Sequence, residues 1–166
     1  MNPRYPKPDS CTGCSLQHAG FGFALPSGPL GAPLQFLGES LGFNEAIEGE
    51  PFVGAAGGTL SRILTRAGVD RKQVRIGNTI SCRPPNDFLV GASYEEHAIN
   101  HCRVYRDPFF AAIPDNGVLI PLGSTATDAA LNLRGVAGIN MKDVPLRCAR
   151  RPFIKLQNDS HQPGPR

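Results

Sequence analysis

Leu37-Gly38-Glu39-Ser40-Leu41-Gly42-Phe43-Asn44-Glu45, running on through Gly49-Glu50-Pro51-Phe52-Val53-Gly54-Ala55-Ala56-Gly57-Gly58, is the stretch from which the fold is read. An apolar run from Leu34 to Leu37 stops abruptly at Gly38-Glu39. Acidic groups follow, then one aromatic between Pro51 and Val53, with five glycines from Gly42 to Gly58. Strand, acid, glycine-rich loop and helix, in that order, describe a site at the carboxyl end of a strand. Open α/β sheets bind their ligands there. Glycine lets backbone N–H groups come close to an anion, because no side chain stands in the way.

Working outward, Pro33 to Gly38 reads as the first strand. Thr59 to Gly68 reads as a helix, with Leu60, Ile63, Leu64 and Ala67 on one face, Arg62 and Arg66 on a solvated one, and Gly68 as its stop. Gln73 to Ser81 reads as the second strand, in which Val74, Ile76, Asn78 and Ile80 alternate onto one face. An amide in an apolar row must find partners, either in a neighbouring loop or in a ligand. Cys82-Arg83-Pro84-Pro85-Asn86 closes that strand in a rigid turn. Ser93-Tyr94-Glu95-Glu96 reads as a capping box, opening a helix that carries His97, Ile99, Cys102 and Val104 and bends at Pro108. Gly117 to Leu122 is a third, buried strand, and Gly123-Ser124-Thr125 opens another helix. Alternating strands and helices predict an α/β fold of three layers around a central, mostly parallel sheet. Val136 to Asn140 and Phe153 to Leu156 are candidate short strands in a C-terminal part whose signal is weak.

The chain has 166 residues, enough for one domain with its own core, and 19 Gly and 16 Pro favour a loop-rich α/β domain over a bundle. It holds no apolar run of membrane-spanning length. Its polar, Pro-rich start, Met1 to Pro8, does not read as a signal peptide. A cytoplasmic monomer with no membrane contact is expected. The formal charge of +3 permits a polyanionic partner without demanding one. The five cysteines are Cys11, Cys14, Cys82, Cys102 and Cys148. Under cytosolic conditions metal binding is favoured over disulfides. Cys11-Thr12-Gly13-Cys14 plus two distant single cysteines can close a four-thiolate site only through the fold. Zinc usually takes paired knuckles, whereas iron–sulfur cubanes accept scattered ligands. Spacing alone leaves open a redox C-x-x-C with two unrelated core thiols.

Taken together, the motifs resemble the family 4 uracil-DNA glycosylases, small iron–sulfur enzymes. That family carries C-x-x-C, a G-E-x-P-G loop, an acidic patch, G-x-P-F-V-G-x-A-G, a strand ending N-x-x-x-C-R-P-P, a helix with one Cys, and P-L-G before a helix. This chain shows Cys11 and Cys14, Gly38-Glu39-Ser40-Leu41-Gly42, Gly49-Glu50-Pro51-Phe52-Val53-Gly54-Ala55-Ala56-Gly57, Asn78-Thr79-Ile80-Ser81-Cys82-Arg83-Pro84-Pro85, Cys102, and Pro121-Leu122-Gly123. The match runs over residues 11–132. It departs at Leu41, where Pro is usual, at Ala46, where an acid is common, and in lacking a late His-Pro-Ser loop. The sequence therefore reads as a glycosylase-like domain over residues 1–143, with the fourth strand missing, and an atypical tail over 144–166. The open sheet edge this leaves predicts poor solubility.

The resemblance implies removal of uracil flipped out of uracil-containing DNA. It implies Glu39 and Glu45 as catalytic carboxylates, and Phe52, Asn78, Gly38 and Gly42 around the base. Phe52 would stack on the ring and Asn78 would match uracil's side-by-side acceptor and donor. Gly54, Gly57 and Arg83 would hold DNA phosphates, and Cys11, Cys14, Cys82 and Cys102 a 4Fe-4S cluster of structural role. Cys148 has no counterpart. Two other classes stay in view: an iron–sulfur DNA-binding module without turnover, and a nucleotide-binding α/β protein with zinc.

Overall fold

A computed structural model describes residues 3–133 and 154–155. The candidate strand at Val136–Asn140, Cys148 and nearly all of the 144–166 tail lie outside them. Three strands, β1 (Leu34–Gly38), β2 (Arg75–Asn78) and β3 (Val118–Pro121), pair in parallel, with β1 in the centre. A two-residue β4 (Ile154–Lys155) lies antiparallel to β3, giving the order β2-β1-β3-β4. It falls within the candidate strand at Phe153–Leu156 and takes the sheet edge expected to be empty.

Helices cover both faces. The chain forms α1 (Phe43–Glu48), α2 (Ala55–Arg66), α3 (Glu95–His101), α4 (Arg103–Ala111) and α5 (Ser124–Leu133). On one face, α2 sets Leu60 and Leu64 against Phe36, Val74, Ile76 and Ile120. On the other, α4 and α5 set Phe109, Phe110, Ala126 and Ala130 against Leu37 and Leu119. Neighbouring strand residues serve opposite layers, as the pleat requires. A third cluster, beyond the end of β2, joins Leu16, Ile80, Cys82, Leu89, Ala98 and Cys102.

Several local expectations change. α2 starts at Ala55, four residues ahead of Thr59, with Gly57-Gly58 inside it. Leu60 and Leu64 are buried, but Ile63 is 57% exposed and Ala67 is also outside the core. The stop is as read: Gly68 has φ +69°, and the Val69 and Gly68 N–H groups donate to the Leu64 and Thr65 carbonyls at 2.9 and 3.1 Å. β2 leaves the ladder after Asn78, although Ile80 stays buried. No capping box forms: α3 opens at Glu95 with Tyr94 as N-cap and no side-chain cap, and Glu95 reaches back to the Gly91 N–H at 2.6 Å. The predicted bend at Pro108 is instead a break at Cys102, between α3 and α4. Leu41 and Ala46, the two departures from the family pattern, pack together with Ala24 and Phe21. An acid at 46 would be a buried, unpaired charge there.

Candidate functional site

The ends of β1 and β2 bring the predicted base-reading residues to one point. Gly38 and Asn78 are register partners. A Cβ on Gly38 would overlap Asn78 Oδ1 and stand 2.7 Å from the edge of the Phe52 ring. Glycine at 38 is therefore what allows the amide and the ring to converge. Asn78 Oδ1 is buried and, among the described residues, has no hydrogen-bond partner. Leaving such an acceptor unpaired costs about 1–3 kcal/mol, and Asn78 stands behind Phe52 rather than in the lining of the cleft in front of it.

Phe52 is held there by its backbone. Its φ is +59°, in the left-handed region that a non-glycine residue rarely enters. Arg71, in the turn leading into β2, fixes it: Nη2 donates to the Phe52 carbonyl at 2.7 Å and Nη1 to Ser61 Oγ of α2 at 3.2 Å. Gly57 packs against the same carbonyl, and a Cβ there would overlap the carbonyl oxygen. Gly57 is buried. It shapes the loop from beneath.

In front of Phe52 lies a cleft of about 290 Å³, walled by Ser40, Phe43, Asn44, Glu45 and Ala55-Ala56, where α2 begins. Glu45 is 8% exposed, and its Oε1 accepts from the Gly54 N–H at 2.8 Å. This ties the first turn of α1 to the N-cap of α2 and uses the Gly54 donor. Gly42 leaves room for the carboxylate, since a Cβ there would be 2.6 Å from Glu45 Oε2. Glu39, at the end of β1, accepts at Oε2 from Thr125 Oγ1, in the first turn of α5, at 2.8 Å. Arg83 is committed elsewhere: Nε and Nη2 each meet an Asp87 oxygen at 2.6 Å. Those hydrogen bonds push the Asp87 carboxyl below its ordinary range and the Arg83 guanidinium above its own.

Behind β2, Cys11, Cys14, Cys82 and Cys102 line one small cavity with Lys7 and Phe23. All four are free thiols. Burial pushes Cys82 up to about 12 and Cys102 to about 11, with the neighbouring cysteines adding to both. Lys7 Nζ donates to the carbonyls of Leu16, Gln17 and Gly20, the last two at 3.1 and 2.6 Å. The ammonium thereby gathers the loop that follows Cys14. A Cβ on Gly20 would be 2.9 Å from Lys7 Nζ and 3.1 Å from Cys82 Sγ. Tyr105 Oη lies 3.6 Å from Cys11 Sγ. Among the described residues, no three His, Cys, Asp or Glu side chains gather as a site for one metal ion. The four thiols nonetheless share the lining of that one cavity.

The sequence reading gave no sign of Arg71, Thr125 or Lys7, which act by holding other residues. Nor did it single out Ser40, Phe43 or Asn44, although an aromatic beside polar residues in a glycine-rich loop is a legible signal.

The family model described as "Uracil DNA glycosylase superfamily" matches residues 25–160. The chain is 36% identical over 124 residues, 75% of its length, to the type-4 uracil-DNA glycosylase of Archaeoglobus fulgidus, of which it spans 60%. It is 36% identical over 119 residues, 71% of its length, to the type-4 uracil-DNA glycosylase of Sulfurisphaera tokodaii, of which it spans 52%. It is 31% identical over 153 residues, 89% of its length, to that of Pyrobaculum aerophilum, of which it spans 73%.

Proposed function

The chain belongs to the uracil DNA glycosylase superfamily, and from that membership we propose that it hydrolyses the N-glycosidic bond of uracil flipped out of DNA. The observation that carries the reading is the meeting of Gly38, Asn78 and Phe52, with Asn78 Oδ1 buried and unpartnered. Uracil offers a ring N–H beside a carbonyl. Oδ1 accepts from that N–H, and the amide NH₂ donates to the carbonyl. Cytosine offers the reverse order and leaves both halves of the amide opposed. Phe52 stacks on the base and adds affinity without choosing it, by about 1–3 kcal/mol.

Water replaces uracil at the sugar carbon, and the base departs with the bonding electron pair. Positive charge develops on the sugar, and a carboxylate facing it lowers the barrier. Glu45 walls the cleft, while Glu39 is held by Thr125 at the start of α5. We assign the sugar-facing role to Glu45 and the ordering of the strand end to Glu39. The phosphate seat is the first turn of α2, where the N–H groups of Ala55 and Ala56 have no intrahelical acceptor. Gly54 and Gly57 shape it.

Cys11, Cys14, Cys82 and Cys102 fit a 4Fe-4S cluster, and reduced thiols fit a cytoplasmic setting. When bound, the cluster supplies a covalent tie among three segments of chain. A second reading, binding of uracil-containing DNA without turnover, is favoured by one observation. Among the described residues the cleft wall has no histidine, and His97 and His101 engage Ser15 and Ser10 instead.

The test is uracil release from a labelled oligonucleotide, read as strand cleavage after alkali. Cleavage at uracil and none at cytosine is expected. Asn78→Ala should lower kcat/KM by about 10–100-fold. Tight binding without cleavage would favour the second reading, and neither binding nor cleavage would refute both.

A further inference from the structure

Phe43 is the first residue of α1 and stands on the wall of the same cleft as Phe52. It is 49% exposed. On a cleft wall such a ring offers an apolar face to a ligand's ring. The ring is nonetheless firmly placed. It lies near-parallel to Phe21, with centroids 6.5 Å apart and planes at 11°. The Arg83 guanidinium sits 5.4 Å from its centroid. Phe21 and Arg83 are an antiparallel backbone pair, exchanging both N–H···O bonds at 2.9 Å. Asp87 holds the guanidinium through two hydrogen bonds at 2.6 Å. The support is thus fixed by a backbone bridge and a bidentate ion pair, and it leaves about half of the ring exposed.

We infer that Phe43 is a stacking platform for the nucleobase next to the extruded uracil. The cleft then grips two successive bases, one on Phe52 and its neighbour on Phe43. This rests on the uracil-DNA reading above. A π-face is common to all four bases, so the platform adds affinity without sequence preference. A neighbouring base already free of a duplex partner reaches it without an unstacking cost, so the gain is larger on single strands.

The test is equilibrium binding by fluorescence anisotropy to single-stranded oligonucleotides. One carries 2′-fluoro-2′-deoxyuridine, whose fluorine resists loss of the base, and a matched one carries thymidine in its place. Each is made also with the nucleotide on either side replaced by an abasic tetrahydrofuran. Phe43→Ala should weaken binding about tenfold or more on both full strands, and Phe43→Tyr should restore it. Phe43→Leu, which keeps apolar bulk without a π-system, should behave as the alanine variant does. An abasic residue on one flank should abolish the difference between wild type and Phe43→Ala. Equal affinities for wild type and Phe43→Ala, with circular dichroism unchanged, overturn the inference, as does a difference that survives an abasic site on either flank. Wild-type protein with no preference for uracil over thymidine defeats the uracil reading instead. The ring's contribution is still measured on the thymidine strand.

Discussion

Asn78 is an amide whose oxygen meets no donor among the described residues, and Gly38 is the glycine that leaves it room. The two make a sharper test together than either does alone. Gly38→Ala adds one methyl group where Asn78 Oδ1 and the Phe52 ring already stand. It should move both, and a displacement of about 1 Å in such a site costs on the order of 100-fold. Uracil-release kinetics beside a circular-dichroism melt will check this: activity should fall further than stability does. Lys7 is a second residue whose value lies in what it holds. Its ammonium satisfies three carbonyls of the loop after Cys14. Lys7→Met should leave those carbonyls without their donor and loosen the loop. Iron content per chain and the lifetime of visible absorbance in air should both drop, and Lys7→Arg should recover part of each.

β2 ends as a strand at Asn78, but three of the next four residues stay fastened to the end of β1 and the loop after it. The N–H groups of Thr79 and Ile80 donate to the Gly38 and Glu39 carbonyls at 2.8 and 3.0 Å, and Leu41 N–H donates to the Cys82 carbonyl at 3.4 Å. The thiol cavity and the proposed base-reading point are therefore two ends of one short tether. Cys82→Ala should weaken uracil binding as well as lower the melting temperature. Unchanged binding in a folded variant would sever that link. In the turn that follows, Asn86 and Asp87 both have φ +56°, and this backbone delivers Asp87 to Arg83. Hydrogen bonding to Arg83 lowers the Asp87 pKa, against a smaller opposing effect of burial. A carboxyl depressed on folding contributes stability that is complete above the ordinary aspartate value of about 3.9. That stability disappears as pH falls through the lower folded-state value. The gap in melting temperature between wild type and Asp87→Asn should therefore be present at neutral pH and shrink below about pH 4. It should also be small, because exposed pairs contribute about 0–1 kcal/mol.

The whole molecule stands on two apolar layers divided by the sheet, and Phe109 is the largest side chain fully enclosed in it. Gly77 of β2 gives it space, since a Cβ there would be 3.1 Å from the ring. Phe109→Ala should cost about 3–5 kcal/mol in chemical denaturation. Both layers were legible in the amino-acid order. β1 and β3 announce themselves as apolar runs ending in glycine or proline, and Leu60 and Leu64 repeat at helical spacing. What escaped notice has physical causes. α1 is six residues long, too short for periodicity to register. Gly57-Gly58 weaken helix propensity enough to disguise the first turn of α2 as loop. Ser93 failed as a cap because Tyr94 took that place. In the site, residues with chemistry of their own could be picked out by type and motif. Arg71, Thr125 and Lys7 could not, because each serves a partner distant in sequence that only the folded chain brings near.

Gly57 leaves a further consequence. α2 and the aromatic loop touch through bare backbone, with the Phe52 carbonyl seated where any other amino acid would carry its first carbon. A side chain at 57 would force helix and ring apart. A saturation library at codon 57, selected for uracil release, should return glycine alone, while codon 63 of the same helix, whose isoleucine is 57% exposed, should accept many replacements.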